Sequence, residues 1–171
     1  ISHCLPYPPD DGNKLRAYYA LNEMRKHGNS ITLCCFTMKE DNKYIKNLQG
    51  KWKDVKVVPF EFRKKLNFYI YAFILTIFTK YPFSVSYYQD RLFKKGLRRL
   101  VANNKYDLVY VFGPMMSQYA LDINLPKILD TIDCQSNLHH SGFITSTKLH
   151  HKIYWLLNYY KWKTYEKKVF H

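Results

Sequence analysis

At 171 residues the chain suits one α/β domain, long enough to bury a core and too short for two ordinary domains. Its 47% hydrophobic content excludes a disordered tail, and an aromatic share of 18%, carried by sixteen tyrosines and eleven phenylalanines, asks to be packed or presented. The net charge of +14 implies an anionic partner or surface, whether nucleic acid, phospholipid or a phosphorylated sugar, and its spread along the chain is unlike a detachable basic arm.

Ile1 to Leu5 reads as the tail of a strand, and the lack of a starting Met suggests that the first residues of the natural protein are missing. Pro6, Pro8, Pro9 and Asp11-Gly12 then force a loop. Residues 14 to 27 fit a helix, with Leu15, Tyr18, Leu21 and Met24 at helical spacing and Gly28 as its stop. Ile31 to Phe36 follows as a buried strand. Residues 37 to 54 are polar and irregular, and Val55 to Phe60 alternates as a half-buried strand ended by proline.

The apolar run Leu66 to Thr79, preceded by Arg63, Lys64 and Lys65, is read as a helix over 65 to 79, shorter than the ~20 residues that span a bilayer. The side chains of the Lys65–Lys80 segment suit three surroundings: an anionic membrane interface, the core, or a neighbouring domain. Residues 88 to 103 give a helix with Leu92, Phe93, Leu97, Leu100 and Val101 on one stripe and Arg91, Lys94, Lys95, Arg98 and Arg99 opposite. Asp107 to Phe112 is a short apolar strand. After a turn at Gly113-Pro114 come a short helix near 115 to 121, a strand over 126 to 132, and a long aromatic and basic helix from Lys148 to Phe170. Strands alternating with helices imply a Rossmann-like open parallel sheet with helices on both faces.

Cys4, Cys34, Cys35 and Cys134 form no CxxC pair and are expected to be reduced and buried. His139-His140 and His150-His151 match no ligand spacing, so neither a metal nor another cofactor is expected. Ligands of doubly wound sheets bind outside the carboxyl ends of strands, which directs attention to three loops. In the first, Gly12 permits close backbone approach, the following helix offers N–H groups to an anion, and Lys14 and Arg16 add charge; the same residues also suit an ordinary turn. In the second, Ser117, Gln118 and Tyr119 suit a sugar hydroxyl or simply a capped helix start. In the third, Asp133 and Ser136 are expected to face a cleft, with Asp130 structural.

The stretch PYPPDDGNKLRAYYALNEMRKHGNSITLCCF resembles the opening motif of glycosyltransferase family 4, PxPP(D)xGGxxR, with prolines, acidic residue, glycine and arginine in order. Gly12 takes the first glycine's place and Asn13 the second, a residue tolerant of positive φ whose side chain narrows the cleft. YPFSVSYYQDRLFKKGLRRLVANNKYDLVYVFGP resembles the same family's central region, and Asp130 to Ser136 its D-x-x-D-x-x-S segment. The resemblance implies the N-terminal, acceptor-side half of a GT-B enzyme that transfers a sugar, with retention, from a nucleotide-sugar donor to a glycan or lipid-linked acceptor. It assigns Asp133 to the chemistry and Gly12, Asn13, Lys14, Arg16 and Ser136 to binding. It also implies a C-terminal donor-binding domain outside these residues, so that the chain alone transfers nothing, and a cytoplasmic location, peripheral on the membrane. The alternative is a basic module without catalysis that binds nucleic acid or a membrane surface; nucleic acid is not expected, because no RRM, KH or zinc-finger pattern is present.

Overall fold

The computed structural model describes residues 1–62 and 66–170, with side chains of the helix beginning at Leu66 described from residue 70 onward. The basic cluster Arg63, Lys64 and Lys65, and with it the expected helix start at residue 65, lies outside the described residues. The chain is a mixed α/β protein that divides into two compact units: Ile1–Arg63 with Asp90–Asp130, and Lys64–Gln89 with Thr131–His171.

The first unit is built on four parallel strands. Strand β1 (Ile31–Thr37) pairs with β2 (Val55–Glu61), Ile31 opposite Val55 through Thr37 opposite Glu61; β3 (Val109–Phe112) pairs with β4 (Lys127–Asp130), Val109 opposite Lys127. These are two two-stranded sheets and not the single continuous sheet expected from the alternation. The opening segment contributes a bridge in place of a strand: Ser2 pairs in parallel with both Cys35 and Phe112. Its N–H donates to Cys34 O at 2.9 Å, and Phe112 N donates to Ile1 O at 2.9 Å. The proline-rich turn that begins at Pro6 leads the chain away from the strands after this bridge. Pro59 lies within β2, which pairs only with β1 among the described residues, so its missing N–H deprives no neighbour.

Alternate residues of β1 meet two different sets of helices, as a strand's period of two requires. Leu33 and Cys35 belong to a buried cluster with Ala17, Tyr18 and Leu21 of α1 (Gly12–Lys26) and Ile45 and Leu48 of α2 (Asn42–Lys51). Phe36 instead packs 4.5 Å, between ring centroids, from Phe93 of α5 (Arg91–Asn103). Helix α1 ends as expected: Gly28 takes φ +79, and its N–H donates to Arg25 O at 2.9 Å. Helix α2, preceded by a 3-10 turn at Lys39–Asp41, occupies a segment expected to be irregular. Its lysines and Gly50 dilute the pattern, yet Ile45, Leu48 and Trp52 recur at helical spacing and are buried.

In α5, Phe93 and Leu97 face inward as expected, but Leu92 is 68% exposed. Neighbouring residues diverge around a helix, and the inward stripe is centred on Phe93 and Leu97. Gly96 belongs to the same close packing, since a Cβ there would meet the Phe60 ring at 2.5 Å. Asp90 caps the helix by accepting from Phe93 N at 2.7 Å. A 3-10 turn, Pro114–Tyr119, follows β3.

The second unit is helical: α3 (Leu66–Phe78), α4 (Phe83–Tyr87), α6 (Gln135–Thr145) and α7 (Leu149–Phe170). Of these, the sequence pattern leads to α3 and α7 but not to α4 and α6. Helices α6 and α7 pack closely because Gly142 gives the Trp155 ring room; a Cβ there would lie 2.5 Å from it. Asn158, fully buried, accepts from Phe83 N at 2.9 Å and donates to Tyr154 O at 3.0 Å. Among the described residues no helix is long and apolar enough to cross a membrane.

Candidate functional site

In the first unit the candidate site gathers at the carboxyl ends of the parallel strands. The segment after the Ser2 bridge leads through Leu5 and Pro6, both buried, to Asp11, the N-cap of α1. Asp11 Oδ1 accepts from Lys14 N at 2.9 Å. Gly12, Asn13, Lys14 and Arg16 therefore share the start of one helix. Asn13 is helical and not left-handed, for among the described residues positive φ occurs only at Gly28 and Gly113. Around Gly12 there is open space: a Cβ would meet nothing within 4 Å.

The two cations expected to hold an anion already have carboxylate partners. Lys14 Nζ lies 2.7 Å from Asp10 Oδ1 and 3.7 Å from Asp11 Oδ2. That hydrogen bond raises the Lys14 ammonium above its usual range and holds the Asp10 carboxyl below its own. Arg16 forms an ion pair with Asp130, whose side chain is 7% exposed against 49% for Arg16. Asp130 Oδ2 also accepts from Tyr110 Oη at 3.0 Å. Burial, reinforced by this bond to Asp130, pushes the Tyr110 phenol up to about 12. Asp130 is thus held between Arg16 and Tyr110, and half of the Arg16 side-chain surface faces solvent.

Gly113, at the end of β3, closes this region. It adopts φ +85, donates its N–H to Asp130 O at 3.0 Å, and would carry a Cβ 2.7 Å from Met115 Sδ and 3.6 Å from His3 Nδ1. The His3 ring is thus brought beside the loop after β3. Burial lowers its pKa, opposed by the nearby Asp11 carboxylate. His3 Nε2 lies 3.7 Å from Cys4 Sγ, and burial pushes that thiol up to about 11. Sequence reasoning misses His3, since nothing but its position after a short strand marks it. In the second loop Ser117 Oγ donates to Pro114 O at 2.6 Å and Gln118 Nε2 to Met115 O at 3.0 Å, and Tyr119 Oη accepts from Asp90 N at 2.7 Å.

Asp133 and Ser136 fall in the second unit. Asp133 is exposed, and Ser136 is buried in the first turn of α6. Its N–H donates to Glu166 Oε1 at 3.3 Å, and its hydroxyl lies 3.2 Å from Cys134 Sγ. Glu166, mostly buried on α7, supplies the carboxylate that the start of α6 lacks, since the Cys134 N-cap makes no side-chain cap bond. Glu166 likewise escapes sequence reasoning, as one carboxylate within a lysine-rich helix. Cys134 is exposed, contrary to expectation, because it precedes α6 on the surface, while Cys34 and Cys35 are buried on opposite sides of β1. Among the described residues no group of three or more His, Cys, Asp or Glu is arranged to hold a metal ion.

No family model matches the chain, and neither a curated protein nor a solved structure matches it.

Proposed function

We propose that the chain is the acceptor-side half of a glycosyltransferase of the GT-B, family 4 type, a Rossmann-like domain whose two small parallel sheets are bridged by Ser2. It works with a donor-binding domain, a nucleotide-sugar donor and a glycan or lipid-linked acceptor, at the cytoplasmic face of a membrane. One observation carries the reading. The Pro6–Arg16 stretch begins its helix near the carboxyl end of parallel strands, where Arg16 pairs with Asp130 of β4, with open space over Gly12.

Arg16, held by Asp130, presents a cation of fixed orientation, and the first N–H groups of α1 favour anionic or hydroxyl oxygens. Lys14, bound to Asp10 and Asp11, is the lesser contributor. Asp133 and Ser136 keep the roles the resemblance implies, an exposed carboxylate for the chemistry and a hydroxyl for binding. Glycosyl transfer depends on orientation and on stabilising the departing diphosphate, so the donor-binding domain is required for turnover.

The test is sugar transfer from UDP- and GDP-sugars by the protein carrying its donor-binding domain. Gly12→Leu is expected to leave the melting temperature within about 2 °C, because the site is open, while kcat/KM falls about tenfold or more. No donor binding and no transfer by that longer protein would sink the proposal. Full activity of Gly12→Leu would remove Gly12 from the site.

A further inference from the structure

Helix α3 is built inside out. Its small residues Ala72 and Thr76 are buried, while Ile70, Tyr71, Phe73, Ile74, Ile77 and Phe78 are exposed, Phe78 by 81%. Residues 70, 73, 74 and 77 follow helical spacing, so the large apolar side chains make one continuous outward face. Singly exposed apolar residues are ordinary; a full helix face of them marks an interaction surface.

We propose that this face docks on an anionic phospholipid surface, with α3 lying in the interface plane. Charge identifies the occupant. No Asp or Glu occurs between Glu61 and Asp90, whereas Arg63, Lys64, Lys65 and Lys80 flank the helix in sequence. The second unit as a whole carries nine lysines against Asp133 and Glu166 alone. A second copy set against the same face would bring like-charged flanks together, while acidic headgroups complement them.

The backbone at the end of α3 suits a water-poor setting as well. Carbonyl groups of the last turn normally rely on solvent. Here Thr76 Oγ1 donates to Ala72 O at 2.7 Å and Thr79 Oγ1 to Leu75 O at 2.6 Å. Lys161 Nζ donates to the carbonyls of Thr76 and Thr79. Two carbonyls at the end of the helix, those of Thr76 and Thr79, thus have a protein donor in place of water.

The docking does not depend on the glycosyltransferase reading, and its test needs no donor sugar. Co-sedimentation of the chain with phosphatidylcholine vesicles is compared with that on vesicles containing phosphatidylglycerol. Strong partition onto the anionic vesicles alone is expected, and Phe78→Trp should show a blue-shifted emission there. The triple change Phe73→Ser, Ile77→Ser and Phe78→Ser should weaken partition about tenfold or more with an unchanged melting temperature, because all three side chains are exposed. Lys80→Glu should weaken it about fivefold. Absence of partition onto anionic vesicles, or undiminished partition by the folded triple variant, would overturn the proposal. So would a lipid-free dimer in light scattering that the triple variant abolishes and anionic vesicles leave intact.

Discussion

Helices α3 and α5 are each 13 residues long, and they solve opposite problems. Helix α5 turns Phe93 and Leu97 inward and shows Arg91, Lys95, Arg98 and Arg99 to water; α3 buries Ala72 and Thr76 and shows Phe73, Ile74 and Ile77. They are also anchored at opposite ends, α5 at its start by Asp90 and α3 at its finish by Lys161. The difference teaches that apolar residues in this chain serve two ends. On α5 Phe93 and Leu97 hold the fold together, and on α3 the large apolar side chains from Ile70 to Phe78 are exposed, Leu75 excepted.

The largest expected effect separates these uses. Phe93→Ala removes a fully buried ring that packs on Phe36, Phe60 and Tyr119, and it should destabilise the protein by about 3–5 kcal/mol in urea unfolding. Phe73→Ala, on a residue 54% exposed, should change stability by about 0.5 kcal/mol or less. Equal losses would break the comparison.

Gly96→Ala sharpens it. Overpacking against Phe60 opposes folding by about 1–3 kcal/mol, more than the roughly 1 kcal/mol by which Ala exceeds Gly as a helix former. A net loss near ~1 kcal/mol by thermal unfolding is expected, and a gain would mean that the aromatic cluster yields. The smallest effects concern the anchors. Asp90→Ala should cost about 1 kcal/mol through the lost cap, and Lys161→Met about the same through the carbonyls it leaves at the end of α3. Hydrogen exchange should then quicken at the start of α5 in one variant and at the end of α3 in the other.

Sequence patterns reveal an element when its inward stripe is long and its punctuation local. Helix α1 with Gly28, β1, the stripe through Phe93 and Leu97, and the long α7 all satisfy this. Helix α2 escapes because three apolar residues among lysines look like a loop until Trp52 is seen buried, and α6 because its apolar content is slight. At the candidate site the start of α1 is legible from Pro6 to Arg16. The partners are not: Asp130 beside Arg16, Gly113 beside His3 and Glu166 beside Ser136 are distant in sequence, and only tertiary packing joins them. The inside-out character of α3 is likewise hidden, since a uniformly apolar run does not say which face is turned outward.

The Ser2 bridge also bears on the entropic cost of assembly. The ladder of β1 and β2 joins residues 24 apart, as Ile31 with Val55, and that of β3 and β4 residues 18 apart, as Val109 with Lys127. The tie between them closes a far longer loop, for Ile1 N–H donates to Tyr110 O across 109 residues. By the logarithmic dependence of closure entropy on loop length, this exceeds the β1–β2 closure by about 1.3 kcal/mol. The local ladders therefore close at a lower entropic cost than the tie to β3.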